Sequence, residues 1–140
     1  MIGKLSFILP VILILLFPRN NESIYIIVDD CKNWKVRTPF KKGPYLFFLT
    51  NEKDVRVDLA HGWIDPKDKL STEKLTLSEI IEKKALFSSD LKFQDWDRLT
   101  SVKNTKYFIL RPDDYCSEKR FVYSHQFTVY QMKIYVSRDE

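Results

Sequence analysis

The stretch Lys119-Arg120-Phe121-Val122-Tyr123-Ser124-His125-Gln126-Phe127-Thr128-Val129-Tyr130-Gln131-Met132-Lys133-Ile134-Tyr135-Val136 decides the fold. It is rich in β-branched and aromatic residues and holds neither glycine nor proline, so it reads as strand throughout. At about 3.3 Å per residue it would run roughly 60 Å, too far for one small domain, so it must break. Ser124-His125-Gln126 is the expected break. Beyond it Thr128, Tyr130, Met132, Ile134 and Val136 alternate with Gln131 and Lys133, the period of a strand with one apolar and one polar face.

Upstream of this stretch the signals are strands, then helices, then a strand. Ile24-Tyr25-Ile26-Ile27-Val28 is a β-branched run too short for a helix, and Trp34-Lys35-Val36-Arg37-Thr38 alternates as a half-buried strand. Tyr45-Leu46-Phe47-Phe48-Leu49 is continuously apolar, which predicts a central strand covered on both faces. Asn51 to Asp54 suits a hairpin loop, and Val55, Val57 and Leu59 alternate on the return. Thr76-Leu77-Ser78-Glu79 matches a capping box, with Leu77, Ile80, Ile81 and Ala85 following at helical spacing, so a helix is expected over 77–87. A second short helix, capped by Ser89 or Asp90, would carry Phe93, Trp96 and Leu99, and Tyr107 to Leu110 is a strand ended by Arg111-Pro112. That order is α+β: a mainly antiparallel sheet with one or two helices inserted mid-chain, in a single small domain over 19–140.

Residues 1–18 read differently. Lys4 is followed by an apolar run from Leu5 to Phe17, then by the polar break Pro18-Arg19-Asn20-Asn21-Glu22. As a helix the run spans about 20 Å against roughly 30 Å of bilayer hydrocarbon, and Pro10 would kink it. It therefore reads as a signal peptide or, since no small residues precede Pro18 to guide cleavage, as an N-terminal anchor tethering the protein through residues 5–17. Either way the domain is expected outside the cytoplasm, periplasmic or secreted, with no membrane contact except through that segment.

An exported chain with two cysteines, Cys31 and Cys116, is expected to join them. Only one intramolecular pairing exists, and the long loop it closes corresponds to about 4.5 kcal/mol in the chain-entropy picture. Aromatic residues make up 14% of the chain, enough for a packed core, and the net charge of +4 is far below the imbalance of a nucleic-acid binder.

Catalytic motifs are missing. The three glycines are isolated, which excludes a phosphate-cradling loop, and no nucleophile elbow or clustered Cys/His set is present. Weaker signals remain. Asp29, Asp30, Asp113 and Asp114 sit beside the cysteines, so a disulfide would gather carboxylates that could hold a hard cation, although aspartates in such positions more often cap turns. His61 and His125 are the one pair able to serve as acid and base, if the fold brings them together. Trp34 and Trp63, with Lys35 and Arg37, are the candidate binding residues.

The function expected from these features is that of an exported, non-enzymatic binding protein without a cofactor. Its partner would be another protein, as for an immunity or inhibitor protein. The other classes are a small secreted hydrolase or nuclease using His61 and His125, and a membrane-anchored structural component of the envelope.

Overall fold

One long strand organises the molecule. In the computed structural model, which describes residues 22–36, 44–62, 69–117 and 125–139, the last strand runs from Gln126 to Arg138. It is β8 of eight strands: β1 (Ser23–Ile27), β2 (Trp34–Val36), β3 (Tyr45–Leu49), β4 (Val55–Ala60), β5 (Thr72–Thr76), β6 (Leu86–Phe87) and β7 (Lys106–Leu110) precede it. The helices are α1 (Leu77–Glu82), α2 (Phe93–Ser101) and the single-turn α3 (Pro112–Tyr115), with a short 3-10 turn at Ser88–Asp90.

The strand order is β2-β3-β4-β8-β7-β1-β6, with β5 also on β8. β8 serves different neighbours along its length: β5 pairs with Gln126–Tyr130 and β4 with Lys133–Arg138, while β7 meets Tyr130–Met132. Tyr130 pairs with both Thr72 and Ile109, so β5 and β7 flank it on opposite edges. β8 begins at Gln126, the last residue of the expected break, and residues 118–124 before it lie outside the described residues.

The sheet is mixed. Its β2-β3-β4-β8-β7 run and the β5 pairing are antiparallel as expected, but β1 lies parallel to both β6 and β7. Parallel strands covered on both faces have continuous apolar runs, and β1 and β7 do. Ile24, Ile26, Val28, Tyr107 and Ile109 face one core with Trp96 and Leu99 of α2. Tyr25, Ile27, Phe108 and Leu110 face a second core with Ile80 of α1. β3 has the same apolar character with a different outcome. Leu46 and Phe48 are buried, Tyr45 and Phe47 are half-buried, and Leu49 is 62% exposed. The expectation that β3 is covered on both faces is therefore corrected: only one face is.

The helix expected over 77–87 ends at Glu82. Lys83 and Lys84 close it with amides donating to the Glu79 and Ile81 carbonyls, and Lys84 takes φ 58°, which turns the chain out of the helix. Leu86 and Phe87 then pack into different cores, the period-two behaviour of a strand. Ile80 is buried and Ile81 is exposed, so the apolar stripe is narrower than its sequence spacing suggests. In α2 the cap is Lys92, whose amide donates to Asp95; Ser88–Asp90 forms its own turn.

Candidate functional site

The parallel strands bring together the residues singled out in the sequence. β1, β6 and β7 all point their carboxyl ends the same way, and in sheets of this kind that end is where crevices form. There Cys31 and Cys116 are joined, with Cα atoms 5.8 Å apart and 85 positions apart in sequence. The disulfide is compatible with an exported location. An open cleft of about 710 Å³ lies beside it, lined by Asp29, Asp30, Cys31, Ser88 and Ser89 on one side and by Trp34, Lys35 and Leu49 on another.

All four aspartates gather at this end, and each has a partner. Asp29 accepts hydrogen bonds from the Ser88 hydroxyl, the Ser89 amide and the Ser89 hydroxyl, tying the end of β1 to the end of β6. Asp30 accepts from the amides of Lys32 and Asn33, an Asx-type turn. Asp113 and Asp114 pair with Arg111 at 3.6 and 3.1 Å. Burial lowers the Arg111 pKa, but the charges of Asp114 and Asp113 outweigh it, so the guanidinium is held above its ordinary value. Among the described residues no group of three or more Asp, Glu, His and Cys side chains is arranged to hold a metal ion.

The histidines are not brought together. The His61 Nδ1 lies 2.7 Å from the Gln131 carbonyl, whereas His125 precedes β8 and packs edge-on against Phe127. Gln131 and His125 are separated by roughly 20 Å of strand at about 3.3 Å per residue. Of the binding residues, Trp34 and Lys35 line the cleft. Arg37, Trp63 and the apolar segment 5–17 lie outside the described residues. No described helix is long and apolar enough to cross a membrane.

A second surface has no clear mark in the sequence, because the continuously apolar β3 leaves one of its faces uncovered. On the far side of β2-β3-β4-β8 from α2, the register aligns Lys35, Phe47, Asp58 and Tyr135 in one row. Tyr45 and Lys133 flank Ala60 in a neighbouring row, and Leu49 and Ser137 flank Arg56 in the other. Arg56 stacks on the Phe47 ring at 4.1 Å and pairs with Asp58 at 2.8 Å, and the Tyr45 hydroxyl donates to the same carboxylate at 2.8 Å. Burial, and next the Asp58 carboxylate, raises the Tyr45 pKa; the bond to Asp58 is the largest cause raising that of Arg56. The centre of the face is thus a charge-neutral aromatic network, flanked by Lys35 on β2 and Lys133 on β8. The signal in the sequence was the odd-numbered series of β8, where Phe127 and Val129 give way to Gln131, Lys133 and Ser137. Phe127 and Val129 are buried beneath α1, whereas Tyr135 is 42% exposed.

Comparison with protein families, curated proteins and solved structures finds no match to this chain.

Proposed function

We propose that this chain is an exported binding protein, stapled by Cys31–Cys116, whose partner is another protein. The observation that carries this is the open face of β2-β3-β4-β8, where Leu49 is 62% and Tyr135 42% exposed beside Tyr45, Phe47 and Arg56. Tyr, Phe and Arg around an exposed aliphatic are the composition of protein-interface centres. Nucleic acid suits the face less well: the Phe47 ring already carries the Arg56 guanidinium, and Asp58 would oppose a phosphate. A rigid sheet of this kind would act by covering a partner's working surface, as an immunity or inhibitor protein does.

The test is retention of a partner from the native envelope fraction on the immobilised oxidised chain, beside a variant carrying Leu49→Glu and Tyr135→Glu. One protein in stoichiometric amount, held by the wild type and lost by the variant, is expected. Retention of nothing, or equal retention by both, would sink the idea.

A further inference from the structure

The cleft at the disulfide end has walls that are set before any ligand arrives. One wall is the chain from Asp29 to Asn33. It is held at Cys31 by the bond to Cys116, at Asp29 by the Ser88 and Ser89 hydroxyls, and at Asp30 by its own Asx-type turn. The β3–β4 turn also lines the cleft and is joined to the Ser88–Asp90 turn through Asn51, whose Nδ2 donates to the Ser89 carbonyl at 3.4 Å. The Phe93 amide donates to Glu52 at 2.7 Å and fixes the same turn to α2. The volume of about 710 Å³ falls within the roughly 300–1,000 Å³ of small-molecule sites. A site held in place in this way loses little conformational freedom on binding.

The lining supplies three kinds of group. Trp34 is half-buried against the first core and borders the cleft beside Leu49. Open acceptors come from Asp30, whose turn uses only Oδ1, and from the Asn51 Oδ1. Donors come from Lys32 and Lys35, which are exposed and make no ion pair among the described residues. Together these groups select the ligand. An anion would meet the Asp30 carboxylate, and a cation would meet the two lysines. A wholly apolar ligand would strip water from both signs of charge and replace none of it. A neutral ring with hydroxyls around its rim and C–H groups on its faces satisfies all three kinds at once, and that is a pyranose sugar. Each hydroxyl can donate to a carboxylate or amide oxygen and accept from an ammonium group, while the ring C–H groups lie on the aromatic surface.

We propose that this cleft binds a neutral saccharide of the pyranose type. Trp34 and Leu49 carry the ring, Asp30 and Asn51 accept from its hydroxyls, and Lys35 donates to them. The disulfide then positions the site, since it pins Cys31 beside Asp30. It is a second site next to the protein-binding face: Leu49 belongs to both, and Tyr135 belongs to the face and not to the cleft.

The probes are cellotetraose, maltotetraose, chitotetraose, the acidic tetragalacturonate, and an uncharged capped Ser-Gly tetrapeptide, each titrated into the whole oxidised chain. NMR shifts of the backbone amides and of the Trp34 indole are the readout. At least one neutral saccharide is expected to shift the signals of Asp30 to Lys35 and of Asn51 saturably. Asp30→Asn keeps an oxygen for the turn but puts a donor where the open acceptor was, and should weaken binding on the order of tenfold. Lys35→Ala, at an exposed side chain, should weaken it several-fold. Trp34→Ala, checked for folding by its spectrum, should abolish it, and Tyr135→Glu should leave it unchanged. Four outcomes overturn the proposal: no shift with any neutral saccharide, shifts confined to residues outside the cleft, undiminished affinity in Asp30→Asn and Lys35→Ala, or tighter binding of tetragalacturonate or the peptide than of every neutral saccharide. Capture of a protein through Leu49 and Tyr135 is scored separately, so either site can fail alone.

Discussion

The His61 imidazole completes a β-ladder: its Nδ1 sits 2.7 Å from the backbone carbonyl of Gln131, whose own amide donates to the Ser71 carbonyl. A carbonyl only accepts, so Nδ1 carries the hydrogen. β4 ends at Ala60 and β5 begins at Thr72, and His61 supplies the donor that neither strand provides to β8 at this point. The ring also packs edge-on against Tyr130, 5.1 Å between centroids. His61→Ala should cost about 1–2 kcal/mol in urea unfolding, since it leaves a strand carbonyl unpaired. His61→Asn, whose side-chain amide can reach a similar position, should recover part of the loss. Equal losses for Ala and Asn would show that packing on Tyr130 matters and the hydrogen bond does not.

The Cys31–Cys116 bond joins the carboxyl ends of two adjacent parallel strands, β1 and β7, which already pair along five positions. Reduction, or replacement of both cysteines by serine, should lower unfolding stability by about 2–4 kcal/mol, below the full chain-entropy value. Asp29 would still hold Ser88 and Ser89 with the bond open, so the folded sheet should persist. Near-ultraviolet circular dichroism before and after reduction tests this. Loss of the native spectrum in buffer alone would make the bond a condition of folding.

How far these elements could be read from the sequence depends on how much of each one's environment is local. The staple was legible because two cysteines have one pairing. The core-facing series Tyr130, Met132, Ile134 and Val136 was legible because β8 alternates. β5 was not: in Thr72-Glu73-Lys74-Leu75-Thr76 only Leu75 is buried, so it has too little apolar period to register as a strand. Leu86-Phe87 falls within the expected helix because two residues cannot establish a period of their own, and their partners on β1 are some sixty positions away. The same limit hid the open face. Tyr45-Leu46-Phe47-Phe48-Leu49 looks like Tyr25-Ile26-Ile27-Val28, and only the placement of α1 and α2 decides which run is covered twice.

The capping box at α1 gives a pH dependence of definite sign. The Thr76 amide donates to the Glu79 carboxylate at 3.1 Å, and this bond, followed by the Thr76 hydroxyl and the charge of Lys83, holds the Glu79 pKa below its ordinary 4.5. A depressed folded-state pKa adds stability above the unfolded value, and that stability is lost as pH falls through the folded one. Unfolding midpoints of the wild type should therefore fall relative to Glu79→Gln on acidification from about 4.5 downward, and the gap should be constant at higher pH. A gap unchanged across the acid range would show that the carboxylate makes no charge-dependent contact.

Trp96 is fully buried on α2 against Phe48, ring centroids 6.1 Å apart and tilted by 60°, and its indole N–H has no hydrogen-bond partner. Size and polarity therefore act in opposite directions at this position. Trp96→Ala removes a large side chain from the core shared by Leu46, Val57, Leu99 and Ile109, and should cost about 3–5 kcal/mol. Trp96→Phe loses part of that volume but also removes a buried donor whose desolvation costs about 1–3 kcal/mol. The Phe variant should therefore lie within about 1–2 kcal/mol of wild type in denaturant titration, far from the Ala variant. If Phe proves nearly as damaging as Ala, the indole N–H is engaged in solution, most simply with the face of the Phe48 ring. Phe48→Leu in the Trp96→Phe background would then separate ring contact from volume: additive losses place the cost in packing, and sub-additive losses place it in the contact between the two rings.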